Sequence, residues 1–382
     1  MSSTELTGRD PSTGRPVAVL VTDGMIASIG PGPAAEEVWL APGLIDLQVN
    51  GFCGHDVNGA PDPAAVVAMV HALFSIGVTT VVPTVITASE EQIVLALRAI
   101  AAARAADPLV AHAVPYAHVE GPYLSGEDGP RGVHPSEHIR APSVAEFVRW
   151  QRTSGDLVGV VTLSPHFAES SSYIADLASR GVHVAIGHTH ATPEQILAAG
   201  DAGATLSTHL GNGSHTVLPR HPNYLWAQLA DDRLNAGFIA DGHHLSRETL
   251  IAMLRAKSLD RSFLVSDAVA LAGSPPGSYS TPVGGTVELT ADGRLEHGTT
   301  GMLAGAARSL ADGVANVARL GPFSLGQAVR LATSSPGRFC GGRGVLRVGA
   351  PADLVTFRWQ PGDPTLAVEQ VLVGGQSPIS RA

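Results

Sequence analysis

Eight short apolar, β-branched runs punctuate this chain of 382 residues, and segments of helical character separate them. The runs are Leu44–Val49, Val78–Val85, Val114–Val119, Val158–Leu163, Val182–Ile186, Ala204–Thr208, Asn235–Ile239 and Phe263–Ser266. Between them, Pro63–Ile76 carries Ala, Val, Met and Leu at helical spacing. Ser89–Ala106 opens with Ser-Glu-Glu-Gln, a capping sequence, before an Ala/Leu-rich stretch. Ser143–Ser154, Ser170–Arg180, Thr192–Ala199 and Ser246–Lys257 follow the same pattern. Strands alternating with helices in this way predict an α/β chain, a (β/α)8 TIM-type barrel.

The two ends break that rhythm. Val17–Val21 and Met25–Ile29 flank Thr22-Asp23-Gly24, a hairpin signal. Gly344–Val348, Leu354–Phe357 and Val368–Val373 also read as strands. The expectation is a small discontinuous β-domain from residues 1–41 and 344–382, with the barrel, residues 42–343, inserted between them. A further hairpin, Thr286–Leu289 with Arg294–Glu296, is expected after the last barrel strand.

Barrels of this kind carry their chemistry at the C-terminal ends of the strands. Four polar residues fall there: Glu120, His188, His209 and Asp267. One carboxylate and two imidazoles form a ligand set for a catalytic zinc with a position left open for water. Iron, cobalt and manganese accept the same donors. A single histidine after a strand is commonly a hydrogen-bonded core or loop residue. Three suitable residues after three separate strands favour one divalent metal ion. Asp267 is then free to take the proton of the attacking water and pass it on. Lys257, the only lysine, lies in a helical segment ahead of the last strand and so cannot be a bridging ligand at a strand end.

Bulk properties narrow the class. Hydrophobic residues make up 44% of the chain and charged residues 15%, as in a compact enzyme. Lys+Arg number 24 against 34 Asp+Glu, a net charge of -10, which disfavours nucleic acid or an anionic membrane as partner. Two cysteines do not make a disulfide scaffold. The N-terminus has no signal-peptide character, and no apolar run is long enough to span a bilayer, so a cytoplasmic enzyme is expected.

The motifs carry a resemblance. Pro42-Gly43-Leu44-Ile45-Asp46-Leu47-Gln48-Val49-Asn50-Gly51 resembles the Pro-Gly-Phe-Ile-Asp-x-His-x-His signature of the amidohydrolase superfamily, with Gln48 and Asn50 in place of the histidines. Amides are poor ligands beside imidazole, so these two residues would mark at most a vestigial second metal site. His118-Val119-Glu120-Gly121-Pro122, Arg131-Gly132-Val133-His134, Gly187-His188-Thr189-His190, Ser207-Thr208-His209-Leu210-Gly211-Asn212, Ala240-Asp241-Gly242-His243-His244 and Ser266-Asp267-Ala268 occur in the order of the N-acetylglucosamine-6-phosphate deacetylase family.

The resemblance implies hydrolysis of a small amino sugar phosphate to its free amine and acetate. It makes Glu120, His188 and His209 metal ligands and Asp267 the acid/base, and it sets His134 on the acetamide carbonyl. It implies that Asn212, Gly213, Arg220 and His244 bind substrate. Arg220 would be lent across a homodimer. An acidic Gly126-Glu127-Asp128-Gly129, where relatives tend to be basic, keeps an epimeric or different N-acyl amino sugar phosphate open as substrate. A sugar-phosphate-binding protein without turnover is the third alternative.

Overall fold

The computed structural model describes residues 3–34, 37–281, 285–298 and 303–378. Its centre is an eight-stranded sheet of parallel strands in sequence order: Leu44–Val49, Val78–Ile86, Ala117–Glu120, Val158–Leu163, His183–Ile186, Leu206–Ser207, Asn235–Ile239 and Ser262–Val265. The sheet curls into a nearly closed barrel, as the alternation predicts. The helices around it sit on an apolar layer that includes Phe74, Leu97, Trp150, Ile174 and Leu254, each at most 2% exposed. The barrel interior is filled by Ile45, Leu47, Val82, Val160, Ala185, Leu206, Ile239, Phe263 and Val265.

The last strand and the first are joined by single bonds rather than a ladder. Asp267 N donates to Gln48 O at 3.0 Å, Asn50 N to Ala268 O at 2.8 Å, and Ser266 N to the buried Asp46 Oδ1 at 3.1 Å. Asp46 Oδ2 has no partner among the described residues. Burial pushes the Asp46 carboxyl up to about 7, against the bonds from Ser266 and Gln48.

Helix starts follow the sequence closely. Ser89 caps Glu90–Ala106 through Gln92 N, Ser143 caps Val144–Ser154 through Glu146 N, and Ser246 caps Arg247–Lys257 through Thr249 N. A second sheet has six strands, in the order Ala367–Leu372, Leu354–Arg358, Trp39–Pro42, Ser3–Arg9, Pro16–Thr22 and Met25–Pro31. Residues from both ends of the chain thus share one sheet. A three-stranded sheet, Gly277–Thr281, Gly285–Leu289 and Leu295–His297, follows the last barrel strand.

Three expectations are corrected. Gly344–Val348 is a loop, because Gly341, Gly342, Gly344 and Gly349 all have φ between 69° and 82°, a conformation no strand adopts. Val114 closes a short helix, Pro108–Ala113, so the third barrel strand begins only at Ala117. The sixth strand spans two residues rather than Ala204–Thr208, since its neighbours pair only with Leu206 and Ser207.

Candidate active site

Each of the principal polar residues stands at or just beyond the end of a barrel strand. Glu120 closes the third, His188 follows the fifth after Gly187, His209 follows the sixth, and Asp267 follows the eighth. His188, His209 and Asp267 have φ of 48°, 27° and 52°, the left-handed region that non-glycine residues rarely occupy. The left-handed turn comes at the point where each strand gives way to its loop, and such backbone strain concentrates at functional sites.

Glu120 Oε1, His188 Nε2 and His209 Nε2 form a small triangle. Its edges are 3.0 Å from Glu120 to His209, 3.3 Å from Glu120 to His188 and 3.1 Å between the two imidazoles. All three side chains are buried, at 3%, 8% and 3% exposure, so no solvent screens them. Ligands about 2.0–2.1 Å from a tetrahedral ion lie roughly 3.3 Å apart, and the triangle matches that spacing. Three such acceptor atoms pressed together need a proton or a cation among them. In the bare chain, burial works against the His209 cation, but Glu120 outweighs burial and lifts the ring to about 9. Burial likewise opposes ionisation of Glu120, and the bonds from His188 and His209 prevail, holding it well below the usual carboxylate range.

The surroundings fix the rings. His188 Nδ1 donates to Pro130 O at 2.7 Å, which leaves its Nε2 lone pair facing the triangle, the arrangement typical of a metal-ligating imidazole. Gly213 lies flat against that ring: a Cβ there would stand 2.6 Å from His188 Nδ1. Asn212 folds back on His209, its Nδ2 3.1 Å from His209 O. His209 Nδ1 is buried with no hydrogen-bond partner among the described residues.

His134 belongs to the same cluster. One donor atom each from Glu120, His134 and His188 lies within 4.8 Å of the others. The His134 ring meets His188 edge-on at 4.3 Å. Its Nδ1 is 2.9 Å from Thr87 Oγ1. Burial, with His188 adding, pushes His134 down to about 3, so it is neutral at ordinary pH. His209 is the tighter third member of the triangle, since its Nε2 is already 3.0 Å from Glu120 Oε1.

Gln48 and Asn50 answer the question their positions raise. Gln48 Nε2 donates to Glu120 Oε1 at 3.0 Å, and Asn50 Nδ2 donates to Asp267 Oδ1 at 2.7 Å. Each amide N–H donates a hydrogen bond to a carboxylate without bringing a charge of its own. Burial raises the Asp267 carboxyl to about 6, against the pull of His209, while Glu120 adds to the rise.

His244 sits at the same rim, its Nδ1 2.7 Å from Asp241 Oδ2. Asp241 Oδ1 also accepts from His243 N and His244 N, at 2.8 and 2.9 Å. Burial opposes the Asp241 charge, but the His244 bond prevails and the carboxyl falls to about 2. Arg220 is apart from the others: it is exposed, and its guanidinium makes no hydrogen bond or ion pair among the described residues.

Sequence reasoning missed Thr87, Pro130 and Asp241 as supports of this cluster. Asp241 had a signal, since Asp-Gly-x-His puts a carboxylate three residues before an imidazole. Pro130 contributes only a backbone carbonyl, which no side-chain pattern reveals.

Fold and site together define a metal-dependent hydrolase. Residues 39–377 match the Amidohydrolase family, and the chain belongs to it. It is 32% identical to an N-acetylgalactosamine-6-phosphate deacetylase of Escherichia coli O157:H7 over 93% of both chains. It is 31% identical to an N-acetylglucosamine-6-phosphate deacetylase of Vibrio furnissii over 83% of this chain and 78% of that one. A Mycobacterium smegmatis N-acetyl-D-glucosamine-6-phosphate deacetylase variant, solved in complex with N-acetyl-D-glucosamine-6-phosphate, superposes with a TM-score of 0.88 at 27% identity, covering 100% of both chains.

Proposed function

We propose that this enzyme removes the acetyl group from N-acetylglucosamine 6-phosphate, giving glucosamine 6-phosphate and acetate. The observation that carries the reading is the buried triangle of Glu120 Oε1, His188 Nε2 and His209 Nε2, with Asp267 just past the end of the eighth strand. We assign those three residues as ligands of one divalent ion, with zinc first and iron, cobalt or manganese as other occupants. Such an ion supplies Lewis acidity, lowering the pKa of water toward neutrality. The amide donors at Gln48 and Asn50 take the places where a second cation would otherwise balance Glu120 and Asp267.

Asp267 accepts the proton of the attacking water as the new C–O bond forms. It returns that proton to the departing nitrogen as the C–N bond breaks, so acetate and free amine leave. The Thr87 hydroxyl has one proton and two acceptors, His134 Nδ1 at 2.9 Å and Glu120 O at 3.3 Å; donation to the nearer nitrogen places the ring proton on Nε2. An N–H there stabilises negative charge growing on the acetamide oxygen. His244, with its Nδ1 bound to Asp241, presents Nε2 to the sugar, and Asn212 and Gly213 line its approach. Arg220, exposed and unbonded, serves the phosphate of a second copy's substrate in a homodimer. Two free cysteines agree with a cytoplasmic enzyme.

N-acetylgalactosamine 6-phosphate is the second reading. Two relatives of that name are 32% and 33% identical. In this chain Glu127, half exposed, is bound by His215 Nε2 at 2.8 Å, which fixes an acid near the mouth of the barrel. Acetate release from both epimers, after chelation and re-addition of single metals, decides between them. Release from neither, in protein shown to hold one equivalent of metal, overturns both.

A further inference from the structure

At the end of the barrel opposite Glu120, a cavity of about 490 Å³ opens between the starts of the third, fourth and fifth strands and the C-terminal segment. Its wall includes Tyr116, His183, Arg343, Arg347 and Asp353. Three features give it the chemistry of an anion site.

First, the loop over it turns left-handed at Gly341, Gly342 and Gly344, with φ of 69°, 79° and 75°. A Cβ on Gly341 or Gly342 would meet nothing within 4 Å, so that side of the loop is open. The backbone N–H groups of Gly341, Gly344 and Val345 donate to no acceptor among the described residues. Unengaged N–H groups in such a turn form a concave nest for anions.

Second, the Arg343 guanidinium is anchored on one side only. Its Nη1 donates to His112 O at 2.8 Å and lies 3.3 Å from Thr80 Oγ1, while Nε and Nη2 have no partner among the described residues. Arg347 is exposed, and its guanidinium makes no hydrogen bond or ion pair among the described residues; only its backbone carbonyl is engaged, by Ala350 N at 3.0 Å.

Third, the one acid in the wall is already satisfied. Asp353 Oδ1 takes His112 Nε2 at 2.7 Å and Gly374 N at 2.7 Å. The cavity is therefore positive in a chain whose net charge is -10.

We propose that this basal cavity binds a small phosphate-bearing anion, gripped by Arg343, Arg347 and the N–H groups of Gly341, Gly344 and Val345. Paired guanidinium N–H groups and a backbone nest both suit phosphate oxygens. The volume is that of a small-molecule site. Because it lies at the base, where barrel folds place stability rather than catalysis, the anion acts by fastening the C-terminal segment to the barrel. A ligand bound only by the folded chain raises its melting temperature.

The test titrates inorganic phosphate into the full-length, metal-loaded chain carrying Arg220→Ala, with and without Arg347→Ala. Calorimetry and thermal melting are the readouts. The expected result is a saturable site and a higher Tm with phosphate in the Arg220→Ala protein. Arg347→Ala should weaken that site at least tenfold and abolish the Tm rise. The Arg347→Ala single variant should keep the activity of the unaltered enzyme. No phosphate binding in the Arg220→Ala protein, or binding indifferent to Arg347→Ala, overturns the proposal. These readouts do not depend on which amino sugar the active site accepts.

Discussion

Asp267 owes its proposed role to two opposing influences. Burial pushes its carboxyl up to about 6, and Asn50 holds one oxygen in place from 2.7 Å. As general base it must be ionised, so kcat/KM should fall about tenfold for each pH unit below that value. A bound cation stabilises the carboxylate and moves this limb to lower pH. Asp267→Asn should cut kcat by about 10²–10⁴ and erase the limb while leaving metal content unchanged, which pH-rate profiles and elemental analysis will check. Asp241 acts one step further out. It fixes the His244 tautomer, so Asp241→Asn should raise KM several-fold with little change in bound metal. An unchanged KM would remove His244 from the substrate contacts.

At the scale of elements, the turn after the third strand is tightly constrained. Gly121 has φ of 88°, and a Cβ there would stand 2.1 Å from Thr87 Oγ1, the hydroxyl that also meets His134. Gly121→Ala should cost about 1–3 kcal/mol in urea unfolding and reduce activity as well. Gly30→Ala, where a Cβ meets nothing within 4 Å, should be close to neutral by the same measurement.

Elements of this kind were largely legible beforehand. Eight β-branched runs, serine caps and residues at strand ends follow local rules that tertiary packing did not override. The failures have local causes too. Asp107-Pro108 starts a helix just before the third strand, and its side chain caps Leu109 N and Val110 N. An apolar run beginning at Val114 conceals that boundary. The strand Ser3–Arg9 was not foreseen because its sequence, Ser-Thr-Glu-Leu-Thr-Gly-Arg, is mostly polar; Leu6 is its only buried side chain beyond glycine. In the site, the donors were legible, but the amides at Gln48 and Asn50 gave no hint that they would face carboxylates.

For the whole molecule, metal binding and folding are linked. Without the proposed ion, only a proton on His209 holds Glu120, His188 and His209 together, so chelation should lower Tm by several degrees and zinc should restore it. A chelator-insensitive Tm, by calorimetry, would deny a tight site. Asp46 sets a second global dependence. Its folded-state value, about 7, lies above the unfolded 3.8, so it contributes stability that is complete at low pH and is lost as pH rises through 7. The contribution is about 4 kcal/mol at most. Urea midpoints of the parent and Asp46→Asn should therefore diverge in their pH slopes between 4 and 7. Parallel slopes would show that the carboxyl titrates normally.

The few bonds from residues 46, 48 and 50 to residues 266–268 make the same stretch serve as the clasp of the barrel and as the mooring of the Asp267 carboxylate. Function and closure therefore share one weak hinge line. Mild denaturant should silence turnover while the far side of the molecule still protects its amide protons, so a lost rate will report the first parting of that clasp long before the chain unravels.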